Sequence, residues 1–226
     1  MPASGVISVP RELPLDRAAL LGCAVTTGAG AVWNTARVRP GESVAVIGCG
    51  GVGLNVVQAA ALSGAWPVIA VDVVPEKLAL ARRLGASHAV NAAEHDVVTA
   101  IVDLTDGLGA DYAFEVIGRP ETIVEAFGAV RKGGMAVVVG VAPPNAEVAI
   151  NAFALPSTEK VLTGTWYGRS NPHVDIPRLA ALYLAGRFKL AELISHRYRL
   201  DEINTAFSDL RAGHVARGVV EFEKTA

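Results

Sequence analysis

Residues 43–72 read SVAVIGCGGVGLNVVQAAALSGAWPVIAVD, and the fold follows from them. Ser43–Ile47 is short, apolar and rich in Val and Ile, the composition of a strand covered on both faces. Gly48, Gly50 and Gly53 come next in the pattern G-x-G-x-x-G, Val52–Leu62 has helical character, and Pro67–Val71 is a second apolar strand that ends at Asp72. Strand, glycine turn and helix in that order are the context in which the pattern has a mechanism. Gly48 permits the tight turn, Gly50 lets the backbone approach a pyrophosphate, and Gly53 lets the helix pack close to the sheet. The helix N-terminus then offers free N–H groups and the positive end of its dipole to the phosphates. Asp72 follows Gly53 by 19 residues. A carboxylate at that distance accepts hydrogen bonds from both adenosine ribose hydroxyls and repels a 2′-phosphate, which selects NAD over NADP. The plainer reading of Asp72 is a turn or helix cap.

The same region, Ser43–Val71, carries no charge over 29 residues, long enough to cross a bilayer. The glycine run, Asn55, Gln58 and Pro67 divide it instead into strand, turn, helix and strand. The rhythm continues outward. Pro75–Leu84 reads as a helix with Pro in its first turn and Gly85 beyond its end. His88–Asn91 reads as a strand, His95–Leu104 as a helix and Ala110–Val116 as a strand. Glu121–Val130 reads as a helix stopped by Lys132-Gly133-Gly134, and Met135–Val139 as a strand; Glu147–Ile150 is a candidate sixth strand. Alternation of this kind with short connections predicts an α/β fold, a doubly wound parallel sheet of Rossmann type with strand order 3-2-1-4-5-6.

The ends follow another pattern. Leu15–Val38 reads as one or two apolar helices broken by Gly28 and Gly30. Lys160–Trp166 reads as an edge strand, Asp175–Leu184 and Asp201–Leu210 as helices, and Gly218–Phe222 as a last strand. The predicted division is 1–38 as an entry segment, 39–167 as the dinucleotide-binding domain and 168–226 as a C-terminal segment, the two ends belonging to an incomplete second domain.

Composition excludes several classes. Hydrophobic residues make up 51 % of the 226 and charged residues 19 %, which rules out disorder. A net charge of −2 offers no footprint for nucleic acid or an anionic membrane. Two cysteines, Cys23 and Cys49, cannot form a disulfide framework. The first residues, MPASGVISVPRELPLD, lack the basic and apolar regions of a signal peptide, so the expectation is a cytoplasmic protein. His88, His95, His173, His196 and His214 stand singly, without metal-ligand spacing. None of Tyr112, Tyr167, Tyr183 or Tyr198 has a Lys four residues later, the pair that short-chain dehydrogenases need.

The segments LLGCAVTTGAGAVWNTARVRPGESVAVIGCGGVGLNVVQAA, VDVVPEKLALARRLGA, FEVIGRPET and VVVGVAPP resemble the zinc-dependent, medium-chain alcohol dehydrogenases. The branch containing the liver-type, glutathione-linked formaldehyde and aryl-alcohol dehydrogenases is the most similar, and the resemblance runs from about Ile7 to Phe222. It implies a pyrophosphate held at Gly48–Gly53 with N–H groups around Gly51 and Val52. It also implies an adenosine ribose held by Asp72 and Lys77, and an adenine between Val73 and Ile117. The backbone at Val139, Thr165 and Tyr167 would hold a nicotinamide carboxamide, Thr27 would press on the nicotinamide face, and Arg217 would contact phosphate. Cys23 would be one ligand of a catalytic Zn2+. Taken residue by residue, Cys23 reads as a buried small hydrophobe, Lys77 and Arg217 as surface charges, and Ile117 and Val139 as core positions.

In that family the rest of the zinc site lies N-terminal to this region. The resemblance therefore implies the cofactor-binding portion of an enzyme passing a hydride from a primary or aryl alcohol, or a formaldehyde thiol adduct, to NAD. The chain alone is expected to be inactive, and a homodimer is expected through the edge strand near Val161–Trp166. Two other readings stand: a zinc-free, NADPH-dependent quinone or enoyl reductase of the same superfamily, and a non-catalytic nucleotide-binding module.

Overall fold

A computed structural model describes residues 5–213 and 215–222; His214 lies outside them. In chain order the elements begin with helices α1 (Leu15–Leu20) and α2 (Thr26–Gly30). Strand β1 (Val44–Ile47), helix α3 (Gly53–Leu62), strand β2 (Val68–Asp72), helix α4 (Pro75–Arg83), strand β3 (His88–Asn91) and helix α5 (Val97–Asp103) follow. Then come β4 (Ala110–Glu115), α6 (Pro120–Ala129), β5 (Val130–Val138), α7 (Ala154–Thr158) and β6 (Val161–Gly164). The last elements are α8 (Pro172–Leu184), β7 (Ile194–Arg199), α9 (Ile203–Ala212) and β8 (Arg217–Glu221). The chain forms two compact units. One comprises Ala24–Asn171; the other joins the residues up to Cys23 with those from Pro172 onward.

In the first unit six strands form one sheet in the order β3-β2-β1-β4-β5-β6, all parallel. The predicted doubly wound order is the observed one. Its core strands read as unbroken apolar runs because both faces are covered. Ala45, Ile47, Ile69 and Val71 pack with Val97, Ile101, Ala126 and Phe127 from α5 and α6. Side chains alternate along a strand, so Val46 points the other way, toward Gly53 at the start of α3. Order reverses between β2-β1 and β4-β5, the switch point at whose carboxyl edge such sheets bind ligands.

Several local expectations are corrected. Gly28 and Gly30 do not break the N-terminal helix. The chain stays helical from Leu15 to Ala36, with wide π turns at Leu21–Val25 and Ala31–Ala36. These glycines serve packing: a Cβ on Gly28 would lie 2.6 Å from the Val52 carbonyl oxygen, and one on Gly30 would lie 2.4 Å from that of Gly168. Glu147–Ile150 is not a strand; it follows Pro143-Pro144 in a loop, and β6 takes the sixth place, pairing with β5 from Met135↔Val161 to Val138↔Gly164. Lys132-Gly133-Gly134 lies inside β5, beside a register shift against β4 between Ala110 and Tyr112, and α6 already ends at Ala129.

In the second unit β7 and β8 pair in parallel. Sequence reading missed β7, whose alternating pattern is interrupted by His196 and Arg197. Arg197 donates to Asp16 at 2.7 Å and also pairs with Glu221. Burial would raise the Asp16 carboxyl, but hydrogen bonds from Arg17 and Arg197 outweigh it and hold the group at about 2.

Candidate nucleotide-binding site

The glycine turn is built by contacts that exclude side chains. Gly48 has φ +101°, and Ile117 lies against it, with Cγ1 only 2.6 Å from where a Cβ would sit. Gly53 is closer still: its Cβ would fall 1.8 Å from the Gly48 carbonyl oxygen. Gly50 differs, since a Cβ there would meet nothing within 4 Å. The turn is therefore closed at Gly48 and Gly53 and open at Gly50. Within α3, Asn55 Nδ2 donates to the Gly51 carbonyl at 2.6 Å, and the Leu54 N–H bonds to the Gly50 carbonyl. Among the described residues the N–H groups of Gly50, Gly51, Val52 and Gly53 have no acceptor. Unpaired donors at a helix start suit an anion, so the turn fits a pyrophosphate.

Asp72 ends β2 beside this turn. Its Oδ2 accepts from the Cys49 N–H at 2.8 Å and its Oδ1 from the Val74 N–H at 3.0 Å. The plain reading, a turn cap, is thus realised, and the same carboxylate also ties β2 to the glycine turn. Each carboxylate oxygen has two lone-pair sites, so acceptor capacity remains for two hydroxyls. Val73 is 59 % and Ile117 46 % exposed, an apolar pair at the ends of two strands that flank the switch point. Lys77 is half-buried in α4.

Cys49 sits between these groups. Burial, reinforced by the nearby Asp72 charge, pushes its thiol up to about 12, and its S–H donates to the Val71 carbonyl at 3.6 Å. Cys23 is exposed, which corrects the reading of a buried small hydrophobe. Thiol reactivity follows thiolate content and access. Titration with a thiol reagent at pH 8 is therefore expected to label one cysteine in the native chain and the second only after unfolding. Two rapid labels would contradict this.

Val139, Thr165, Tyr167 and Thr27 lie in the same unit. The Val139 N–H bonds to the Glu115 carbonyl at 2.8 Å and the Thr165 N–H to that of Val138 at 2.9 Å. What these two positions can offer a carboxamide is therefore their carbonyl oxygens, matched to an amide NH2. Tyr167, Gly168 and Arg169 all have positive φ, 54°, 65° and 48°, a strained run for two residues bearing side chains. Bonds that hold the run and its flanks include Thr35 Oγ1 to Thr165 Oγ1 at 2.7 Å, Asn34 Nδ2 to the Gly168 carbonyl at 3.3 Å, and Ser170 Oγ to the Thr26 carbonyl at 3.2 Å. Half-buried Thr27 lies on α2 next to this run, its carbonyl 2.6 Å from where a Gly168 Cβ would be.

Residues 51–184 match the zinc-binding dehydrogenase family. The chain belongs to that family. It is 41 % identical over 218 residues to the NDMA-dependent alcohol dehydrogenase of Amycolatopsis methanolica, covering 95 % of this chain and 58 % of that one. It is 37 % identical over 227 residues to the S-(hydroxymethyl)glutathione dehydrogenase of Paracoccus denitrificans, covering 97 % and 60 %. Among solved structures, benzyl alcohol dehydrogenase from Acinetobacter calcoaceticus superposes with TM-score 0.92 at 34 % identity, covering 96 % of this chain and 59 % of that one. The chain thus spans somewhat more than half the length of the relatives it matches.

A zinc-binding dehydrogenase raises the question of zinc. The described residues do not by themselves complete a zinc site: no three of their His, Cys, Asp or Glu side chains gather where they could hold a metal ion, and a catalytic site needs three protein ligands. Cys23 lies in the unit formed by the two ends, as does Arg217. Burial lowers the Arg217 pKa, and Cys23 is the neighbouring group that raises it. Among the described residues no helix is long and apolar enough to cross a membrane. Sequence reading missed Asn55, the strained run at Tyr167–Arg169, and Glu115. Phe-Glu-Val inside an apolar strand was the only signal for Glu115.

Proposed function

We propose that this chain is the NAD-binding portion of a zinc-type alcohol dehydrogenase whose substrate is a primary or aryl alcohol or a thiol adduct of formaldehyde. The observation that carries the reading is the join between Asp72 and the glycine turn. One carboxylate bonds the Cys49 N–H, beside a turn with free N–H groups and an open face at Gly50. That arrangement suits a diphosphate and a ribose diol side by side. Gly50, Gly51, Val52 and Gly53 bind the pyrophosphate, and Asp72 and Lys77 hold the adenosine ribose. Val73 and Ile117 cover the adenine, and the carbonyls of Val139 and Thr165, with the Tyr167 backbone, orient the carboxamide. Thr27 presses on the nicotinamide. The dinucleotide supplies the hydride acceptor; the protein supplies orientation and exclusion of water.

Names of relatives support the substrate class, since they include alcohol and S-(hydroxymethyl)glutathione dehydrogenases. Cys23 serves as one zinc ligand in the whole enzyme, and these 226 residues alone bind NAD without oxidising alcohols. Two free thiols suit the cytoplasm. Strand β6 pairs with a second copy: it is the outer strand of the sheet, and Val161 and Trp166 are 41 % and 79 % exposed, an uncovered apolar edge.

Fluorescence titration of the purified chain with NADH and NADPH tests the reading. NADH is expected to bind at least about tenfold tighter, because Asp72 repels a 2′-phosphate. Tighter NADPH binding would move the chain to the zinc-free reductases, and no binding of either would remove the nucleotide site.

A further inference from the structure

Glu115 ends β4 at the switch point, and it is wholly buried, at 0 % exposure. Buried carboxylates are uncommon unless paired with a cation, and among the described residues no cation pairs with this one. Oε1 instead accepts three hydrogen bonds: from the Ile117 N–H at 2.9 Å, the Gly118 N–H at 2.7 Å and Thr122 Oγ1 at 2.8 Å. Oε2 is buried and has no partner among the described residues. The main-chain carbonyl of Glu115 accepts two more, from Val139 at 2.8 Å and Gly140 at 3.0 Å. A single residue therefore ties together the loops that leave β4 and β5.

Those loops touch backbone to backbone. A Cβ on Gly140 would lie 2.1 Å from the Gly118 nitrogen, and one on Gly118 would lie 2.6 Å from the Val141 carbonyl. Ile117 sits at the tip of the first loop and against Gly48. Its placement follows from the loop that Oε1 holds, because two consecutive N–H groups on one oxygen allow that segment little freedom. Three donors on one oxygen of a buried carboxyl fix the shape of the loop that carries Ile117.

We propose that Glu115 is a positioning residue of the nucleotide site: through Oε1 it holds Ile117 at the adenosine end of a bound dinucleotide. The inference rests on the NAD reading above. Glutamine offers the same oxygen to the same three donors, whereas alanine offers none. Thr122→Val removes one donor and keeps the carboxylate.

The test titrates the wild-type chain, E115Q, E115A and T122V with NADH and with ADP-ribose, alongside thermal melts. E115A is expected to weaken both ligands by roughly tenfold or more. E115Q is expected to stay within about threefold of wild type, and T122V to weaken ADP-ribose by about threefold with a modest fall in Tm that leaves the chain folded at the titration temperature. Equal losses in E115A and E115Q overturn the inference, because they make charge rather than the held oxygen the cause. E115A binding like wild type also overturns it. Should E115A fail to fold, T122V decides: weakened ADP-ribose supports the proposal, and wild-type affinity overturns it. Failure of wild type to bind NADH is a different result and removes the NAD reading together with this one.

Discussion

Gly53→Ala is expected to lose NADH binding and to destabilise the fold by about 4 kcal/mol or more, the range of severe packing lesions. For a chain of this size that is a fall in Tm of roughly 8–16 °C. The cause is local. A Cβ at Gly53 would sit 1.8 Å from the Gly48 carbonyl oxygen and 2.9 Å from its carbon, with Val46 Cγ1 3.5 Å behind. Backbone cannot rotate away as a flexible side chain can, so the turn must open or α3 must leave the sheet. Either change dismantles the row of free N–H groups. Gly50→Ala makes the opposite prediction at a distance of three residues. With nothing within 4 Å of its Cβ, Tm is expected within about 2 °C of wild type, while NADH affinity falls by roughly tenfold or more because the methyl takes up space a pyrophosphate needs. Thermal melts and NADH titrations on both variants check this. A wild-type Tm for Gly53→Ala would refute the packing described, and unimpaired binding by Gly50→Ala would place the phosphates elsewhere.

Asp72→Ala is expected to weaken NADH by about a hundredfold or more. Two charge-assisted hydrogen bonds to ribose hydroxyls contribute roughly 1.5–3 kcal/mol each, and a hundredfold is about 2.8 kcal/mol. The loss has a second source within the protein, since the N–H groups of Cys49 and Val74 lose their acceptor and the glycine turn loses its tie to β2. Asp72→Asn separates the two. It keeps one of the two backbone acceptors and carries no charge, so the preference for NADH over NADPH should narrow while Tm falls less than in Asp72→Ala. Titration of both variants with both cofactors gives the answer. An alanine variant with wild-type affinity would leave the ribose without its proposed partner.

Much of this was legible in the sequence because both signals are local. Strands such as Val44–Ile47 declare themselves by unbroken Val and Ile, the mark of burial on both faces. The glycine spacing declares a tight turn between a strand and a helix. Asp72 was placed by its distance from Gly53, and the structure puts it on the Cys49 N–H. Legibility failed where partners distant in sequence decide. Gly28 and Gly30 read as breaks, but α3 and the Gly168 segment press so closely on that helix that side chains are excluded, and the helix continues. Lys132-Gly133-Gly134 read as a helix stop, but a register shift against β4 absorbs it into β5.

The order of residues alone settled the class of fold, the strand order, the glycine turn and the acidic residue that follows it, because each rests on neighbours within a few residues or on one repeated period. Only the tertiary structure showed that the turn is closed at Gly53 and open at Gly50, that Asp72 bridges β2 to the turn, and that Glu115 holds the loop bearing Ile117. Asp72 meets a turn 23 residues before it in the chain, while Gly53 meets Gly48 and Glu115 meets Ile117 through the path that the packed sheet imposes on a turn and a loop, so geometry rather than residue order carries that information.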